Sequence, residues 1–177
     1  TGLTCVDVGC STGGFTDCLL SRGAARVTSV DVGYAQFDWS LRQDERVTLL
    51  ERTNIVDVPN EENADTFDLA VCDVSFTSVL TVLPAVCELL GPQGRFLTLV
   101  KPQFEAARED VGEGGVVRRP EVRRQAVERV AAALNEAGLA VQGCCESAIT
   151  GAKGNHEYLL LGVRGERPAE LGLSFIA

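Results

Sequence analysis

The stretch of sequence that decides the fold is Cys5-Val6-Asp7-Val8-Gly9-Cys10-Ser11-Thr12-Gly13-Gly14-Phe15. Its apolar beginning indicates a buried strand, and the glycine-containing loop after it leads into an amphipathic segment, residues 15–20. A strand, a glycine-rich turn and a helix form the half-unit with which open α/β folds bind nucleotide-like ligands beyond the strand's carboxyl end. Glycines allow backbone and ligand to approach closely, and the helix N-terminus offers unpaired N–H donors. The sequence therefore predicts a ligand loop here.

The spacing of the glycines indicates which ligand the loop would take. A dinucleotide loop needs the pattern G-x-G-x-x-G. This loop has Gly9-x-x-x-Gly13-Gly14, with Asp7 two residues before the first glycine. That pattern resembles the S-adenosylmethionine loop of class I methyltransferases. The alternative is an ordinary glycine-rich turn between strand and helix, with no ligand.

The composition limits the other possibilities. The chain has 177 residues, enough for one domain with a real core, and no apolar run of about 18 residues that would span a membrane. Its 16 basic and 25 acidic residues give a formal charge of −9. Phosphate neutralisation dominates nucleic-acid affinity, so this acidic domain is poorly suited to grip RNA unaided.

The cysteines point to a reducing compartment. There are 7 of them, no C-x-x-C motif and 1 histidine, a composition that argues against a structural zinc site and fits reduced thiols in the cytoplasm. No signal peptide is visible, and the chain opens Thr1-Gly2-Leu3-Thr4 without a methionine. We therefore expect a fragment of a longer protein.

Hydrophobic periodicity predicts an α/β domain of Rossmann-like type. Seven strands are expected, mostly parallel and ending in an antiparallel hairpin, within residues 3–8, 26–32, 47–51, 67–74, 94–101, 140–148 and 157–163. Helical segments are expected at residues 15–20, 78–90 and 120–138, and a short helix or turn at residues 34–41. Residues 102–119, which contain three glycines and little periodicity, are expected to form a mobile loop that faces the substrate.

The ends of the second and third strands carry further candidates for cofactor binding. Asp31 follows the glycine loop by about 20 residues, the position from which an acidic side chain holds ribose hydroxyls. The alternative is a solvated carboxylate at a strand end. A polar loop at Thr53 and Asn54 is placed to reach an adenine edge. The full set of candidate cofactor-binding residues is Asp7, Gly9, Ser11, Gly13, Gly14, Phe15, Asp31, Val32, Thr53, Asn54 and Asp73.

Three charged residues are expected to meet beside this loop. Asp73 and Lys101 end consecutive parallel strands, and Glu157 begins an antiparallel strand, so all three belong to the same sheet edge. Each has a plain structural alternative: an ion pair between Asp73 and Lys101, and a charge on the rim for Glu157. Together, around a ligand loop, they favour a catalytic site.

Longer motifs make the resemblance specific. Residues 7–20 (DVGCSTGGFTDCLL), 30–34 (VDVGY), 51–54 (ERTN), 73–76 (DVSF), 101–105 (KPQFE), 114–118 (GGVVR) and 149–151 (ITG) resemble the TlyA, or haemolysin A, family, a branch of the FtsJ-like RNA 2′-O-methyltransferases. The resemblance covers essentially the whole chain. It implies S-adenosyl-L-methionine as cofactor, and ribosomal RNA or a ribosomal subunit as the partner of the full-length protein.

The resemblance also implies residue roles. The FtsJ-like family uses a Lys-Asp-Lys-Glu tetrad, whose last three members match Asp73, Lys101 and Glu157. Its first lysine belongs on a helix before the first strand, where this chain has no residue, and the family's N-terminal S4-type RNA-binding domain is likewise outside it. We therefore expect residues 1–177 to be an FtsJ-like methyltransferase domain that depends on the longer protein for RNA capture.

The implied reaction moves the sulfonium methyl group to a ribose 2′-hydroxyl, with Lys101 as the base. Burial would favour its neutral amine, whereas Asp73 and Glu157 would favour the ammonium. The alternative role of the carboxylates is to orient the lysine or the ribose. Two other functions stay open: methylation of a small molecule or protein, which suits the acidic charge, and the membrane activity suggested by the haemolysin label. The lack of an apolar span and of a strongly basic amphipathic helix argues against membrane activity.

Overall fold

A computed structural model describes residues 1–176, which form one mixed sheet covered by helices. The strands are β1 (Thr4–Val8), β2 (Arg26–Val30), β3 (Val47–Leu50), β4 (Phe67–Cys72), β5 (Leu90–Val100), β6 (Leu139–Glu146) and β7 (Tyr158–Arg164). Their order across the sheet is β3-β2-β1-β4-β5-β7-β6. The first five strands pair in parallel, and β7 pairs antiparallel with both β5 and β6. The predicted seven-stranded sheet with a C-terminal antiparallel hairpin is therefore confirmed.

The helices are α1 (Gly14–Ser21), α2 (Trp39–Arg42), α3 (Val79–Leu89), α4 (Pro102–Glu105) and α5 (Pro120–Glu136), with short 3₁₀ turns at Ile55–Asp57, Arg108–Asp110, Glu113–Gly115 and Ala152–Gly154. In α5, Val127, Val130 and Leu134 repeat at helical spacing and are buried against the sheet. Val86 and Leu89 of α3 lie in the same apolar cluster. A smaller cluster, in which Leu20 of α1 meets Cys5 and Val27, covers the opposite face.

The sheet order positions a binding crevice. β1 pairs with β2 on one side and with β4 on the other, so the direction of strand addition reverses beside β1. Open α/β sheets bind ligands outside the carboxyl ends of the strands at such a switch point. The glycine loop follows β1, and Asp73 follows β4, so both lie at this point.

Residues 34–41, expected as a short helix or turn, contain a turn with a positive φ of 60° at Ala35 and the start of α2, which Asp38 caps by accepting from the Ser40 amide. Two other segments differ from the sequence prediction. β5 begins at Leu90 instead of residue 94, because a register shift accommodates residues 91–94 opposite β4.

The predicted loop at residues 102–119 contains α4 and two 3₁₀ turns. It also buries Glu105 and Val117, so its two ends are anchored in the fold. The mobility of the part between them stays a prediction.

Candidate active site

The glycines of the loop after β1 serve different purposes. Gly9 has a φ of 78°, and a Cβ atom there would lie 2.5 Å from the carbonyl oxygen of Asp73. Gly13, with a φ of 100°, packs against Phe37 so closely that a Cβ would lie 3.0 Å from the ring. Gly14 begins α1 and has open space around it. Two of the three glycines are thus required by neighbouring protein atoms, whereas a Cβ at Gly14 would meet no other atom within 4 Å.

Asp7 lies beneath this loop. Its carboxylate is fully buried and accepts a 2.7 Å hydrogen bond from the Thr16 hydroxyl, which is itself 2.7 Å from the Ser29 hydroxyl. Burial raises the pKa of Asp7 to about 6, and the Thr16 hydrogen bond only partly offsets this effect. The side chain lines neither of the cavities described below. Cofactor binding by Asp7 stays a prediction; the observed hydrogen-bond partner of its side chain is Thr16 of α1.

A first cavity of about 560 Å³ opens beside the loop. We call it the cofactor cavity. Seven of the eleven predicted cofactor-binding residues line it: Gly9, Ser11, Asp31, Val32, Thr53, Asn54 and Asp73. The Asp31 carboxylate accepts hydrogen bonds from the amides of Ser11, at 2.8 Å, and Gly33, at 2.6 Å. A carboxylate has about four acceptor positions, so Asp31 retains capacity for ribose hydroxyls.

A second cavity, of about 550 Å³, lies next to the first, and we call it the acceptor cavity. Gly14 and Phe15, predicted to bind the cofactor, line this second cavity. Gly13 is buried and lines neither. Asp73, Ser75 and Phe76 line both cavities, so the two spaces share one wall.

The three predicted catalytic residues all line the acceptor cavity. Lys101 Nζ lies 2.5 Å from Asp73 Oδ1 and donates a 2.9 Å hydrogen bond to Ser75 Oγ. The lysine is only 9% exposed, so its amine is confined to this wall of the cavity. The pair joins the carboxyl ends of β4 and β5, as the strand pattern predicted.

Glu157 lies at the start of β7 and is 8% exposed. Gln103 donates a 3.1 Å hydrogen bond from Nε2 to Glu157 Oε1. The carboxylate also packs on the backbone of Gly151, where a Cβ would lie 2.6 Å from Glu157 Cδ. Ser75 and Gln103 were not predicted as site residues. Each follows a predicted catalytic residue by two positions, and this spacing is the one sequence feature that could have identified them.

Phe76 stands at the wall between the cavities. It is 92% exposed and has a positive φ of 64°, which is rare for a bulky side chain. Its ring lies 5.2 Å from the ring of Phe104. The chain just after it is held by Glu105, which accepts hydrogen bonds from the Ser78 hydroxyl, at 2.6 Å, and the Val79 amide, at 2.7 Å. The loop thus presents an aromatic surface at the mouth of the site.

Cys10, within the glycine loop, is not an activated nucleophile. Burial raises the pKa of the Cys10 thiol to about 12, so it stays protonated near neutral pH. Within residues 1–176 there is no group of three or more His, Cys, Asp or Glu residues arranged to hold a metal. No helix in the same part of the chain is long and apolar enough to cross a membrane.

The sheet order, and the cavities at the carboxyl ends of its strands, fit the Rossmann-like fold of S-adenosylmethionine-dependent methyltransferases. A Listeria monocytogenes structure provisionally described as such an enzyme superposes with a TM-score of 0.69 at 18% identity, over 94% of this chain and 92% of that one. The chain belongs to the FtsJ-like methyltransferase family, which it matches over residues 1–164. Family membership confirms the predicted methyltransferase class and S-adenosylmethionine as its cofactor.

Two further proteins show which branch of the family the chain resembles. The chain is 47% identical over 159 residues to the Mycobacterium tuberculosis 16S/23S rRNA (cytidine-2′-O)-methyltransferase TlyA, covering 90% of this chain. A Lactococcus lactis structure provisionally described as a hemolysin superposes with a TM-score of 0.91 at 36% identity, over 99% of this chain and 86% of that one. The predicted resemblance to TlyA is therefore confirmed. The chain spans 59% of the length of the M. tuberculosis protein.

Proposed function

We propose that the chain is the methyltransferase domain of an enzyme that methylates ribose 2′-hydroxyls of ribosomal RNA. The observation that carries this proposal is the Lys101–Asp73 pair, 2.5 Å apart, on the wall between the cofactor and acceptor cavities. A base in this position can meet a hydroxyl in one cavity while the methyl donor occupies the other. The 47% identity to an rRNA (cytidine-2′-O)-methyltransferase supports a cytidine ribose as the acceptor.

The cofactor cavity suits S-adenosylmethionine. Asp31 would accept from the ribose hydroxyls, Thr53 and Asn54 would border the adenine, and the wall at Asp73 would lie toward the reacting end. When bound, the cofactor supplies a methyl group already activated by the sulfonium. What remains for the protein is to place the hydroxyl and remove its proton.

Lys101 is the group proposed to take that proton. In its neutral form the amine accepts the 2′-hydroxyl proton and becomes an ammonium. Asp73 and Ser75, already within 2.5 and 2.9 Å of Nζ, then stabilise that ammonium by charge and hydrogen bonding. Glu157, on another side of the same cavity, would orient the ribose.

RNA capture requires more than this domain. The net charge of −9 disfavours phosphate binding, whereas the exposed Phe76 ring offers a surface on which a nucleobase can stack. We propose that the full-length protein carries the S4-type RNA-binding domain implied by the family resemblance, and with it the first lysine of the tetrad. The proposed location is the cytoplasm, where the seven unpaired cysteines would stay reduced.

The test is methyl transfer from isotopically labelled S-adenosylmethionine to purified ribosomal subunits. The full-length protein and residues 1–177 are assayed side by side, and the RNA is digested to nucleosides for mass spectrometry. The proposal predicts label in 2′-O-methylcytidine with the full-length protein, and much less with the domain alone. Label on a base, or only on protein, would contradict it.

A further inference from the structure

Gln103 is a polar residue of the acceptor cavity that the mechanism above does not use. It lies in α4, two residues after Lys101. Its Nε2 donates to Glu157 Oε1 at 3.1 Å. An ionised carboxylate only accepts hydrogen bonds, so the amide nitrogen must face Glu157 and the amide oxygen must face away from it. The chemistry of the pair fixes the orientation of the Gln103 side chain.

The amide oxygen of Gln103 has no donor of its own. Oε1 is buried, and within residues 1–176 no group donates a hydrogen bond to it. Buried polar atoms are normally paired, because an unmade hydrogen bond forfeits the solvation lost on burial. Because Oε1 is buried away from solvent, the contact through which Gln103 can act on the acceptor cavity is the one between its Nε2 and Glu157.

Gln103 also completes the confinement of Glu157. On one side the carboxylate lies against the Gly151 backbone, too close for any larger residue. On another side it is held by the Gln103 amide. A carboxylate that is 8% exposed and fixed in this way presents its charge to the cavity in one direction. Loss of the amide would free the Glu157 side chain to rotate.

We propose that Gln103 is a positioning residue of the methyl-transfer site. Its Nε2 holds the Glu157 carboxylate in one orientation toward the acceptor cavity. This inference rests on the proposed RNA 2′-O-methylation. It assigns to Gln103 a role that depends on Glu157, so the two residues act as a unit.

The experiment is a double-mutant cycle in the full-length protein with Gln103→Met, Glu157→Gln and the double variant. Methionine resembles glutamine in length but has neither the donor nor the acceptor. Gln103→Met should lower kcat/KM for RNA by about 10- to 100-fold, as a small misplacement of a reacting group does. Melting temperature and S-adenosylmethionine affinity should stay close to wild type. Gln125→Met, on the exposed side of α5, is the matched control.

The cycle separates positioning from a purely structural role. If Gln103 acts through Glu157, the double variant should be little slower than Glu157→Gln alone. Single-turnover measurements with excess enzyme make the rates of the slowest variants measurable. Independent, multiplicative losses, or a wild-type rate for Gln103→Met, would overturn the inference. If Gln103→Met lowers the melting temperature, Gln103→Ala is judged by the same criteria. A wild-type enzyme that transfers no methyl to RNA would instead overturn the proposed function.

Discussion

Lys101 Nζ lies 2.5 Å from Asp73 Oδ1, and this contact joins the ends of two neighbouring strands. β4 and β5 pair in parallel with Cys72 opposite Thr98, so the residues that follow them leave the sheet side by side. Because Asp73 lines both cavities, the lysine is tied to the wall that separates them. The strand pairing therefore sets the position of the proposed base relative to the cofactor.

Replacement of Asp31 by asparagine should weaken S-adenosylmethionine binding by about 1–3 kcal/mol, the value of a charged hydrogen-bond partner. Asp31 now accepts hydrogen bonds from the backbone N–H groups of Ser11 and Gly33. The side-chain NH₂ of asparagine would face one of these N–H groups, donor against donor, and that hydrogen bond would be lost. Titration calorimetry measures the affinity, and Glu61→Gln, in an exposed connector, is the control. A folded Asp31→Asn protein with unchanged affinity would rule out the ribose role.

Alanine substitutions at two loop glycines test whether the fold requires glycine at each position. Gly9→Ala should lower the free energy of unfolding by at least about 2 kcal/mol, because alanine resists a φ of 78° and its Cβ would meet the Asp73 carbonyl. Gly14→Ala, in open space at the start of α1, should leave stability nearly unchanged. Urea denaturation compares the two. Equal free energies of unfolding for the two variants would contradict the prediction, because they would show that the backbone at residue 9 can shift to accept a side chain.

Asp7 should make stability depend on pH. Its pKa is raised by burial from 3.8 to about 6, so the folded state binds the proton more tightly than the unfolded state. Its contribution is fully present below about pH 4 and is lost as the pH rises to 6, a change of about 3 kcal/mol. Asp7→Asn stays neutral and should remove this decline. Unfolding curves from pH 4 to 7 test it, with exposed Asp17→Asn as control. Parallel pH profiles for wild type and Asp7→Asn would contradict the assignment.

Phe76→Ala should weaken RNA binding without lowering the stability of the fold. The side chain is 92% exposed, so the melting temperature should barely change. If a nucleobase stacks on the ring, the KM for RNA should rise by a factor equivalent to about 1–3 kcal/mol. Trp39→Ala removes another aromatic side chain, 74% exposed and outside both cavities, and serves as the control. Equal KM values for the two variants would exclude stacking on Phe76.

Much of the architecture was predictable because its signals are local. The apolar runs of β1, β4 and β5 and the periodic face of α5 each identify an element, and the parallel order brings Asp73 and Lys101 to one edge. The role of Asp7 was not predictable in the same way. A loop motif names the residue, but only the packing of Thr16 and Ser29 shows that its side chain turns into the core.

The contacts that complete the site depend on residues far apart in sequence. The Gln103–Glu157 hydrogen bond requires the turn of α4 and the start of β7 to meet, and no local pattern encodes that distance. The exposed position of Phe76 depends on the cap that Glu105 places on α3. Sequence periodicity cannot show such tertiary caps, because they involve single residues without a repeat.

The catalytic assignment is tested most directly by turnover of Lys101→Arg in the full-length protein, measured with its melting temperature. Arginine keeps the positive charge and can still pair with Asp73, but it cannot give up its proton near neutral pH. If Lys101 is the base, the variant should be a folded protein with near-normal S-adenosylmethionine affinity and no 2′-O-methylation. A stable Lys101→Arg enzyme that retains substantial methyl transfer would show that Lys101 is only the ion-pair partner of Asp73.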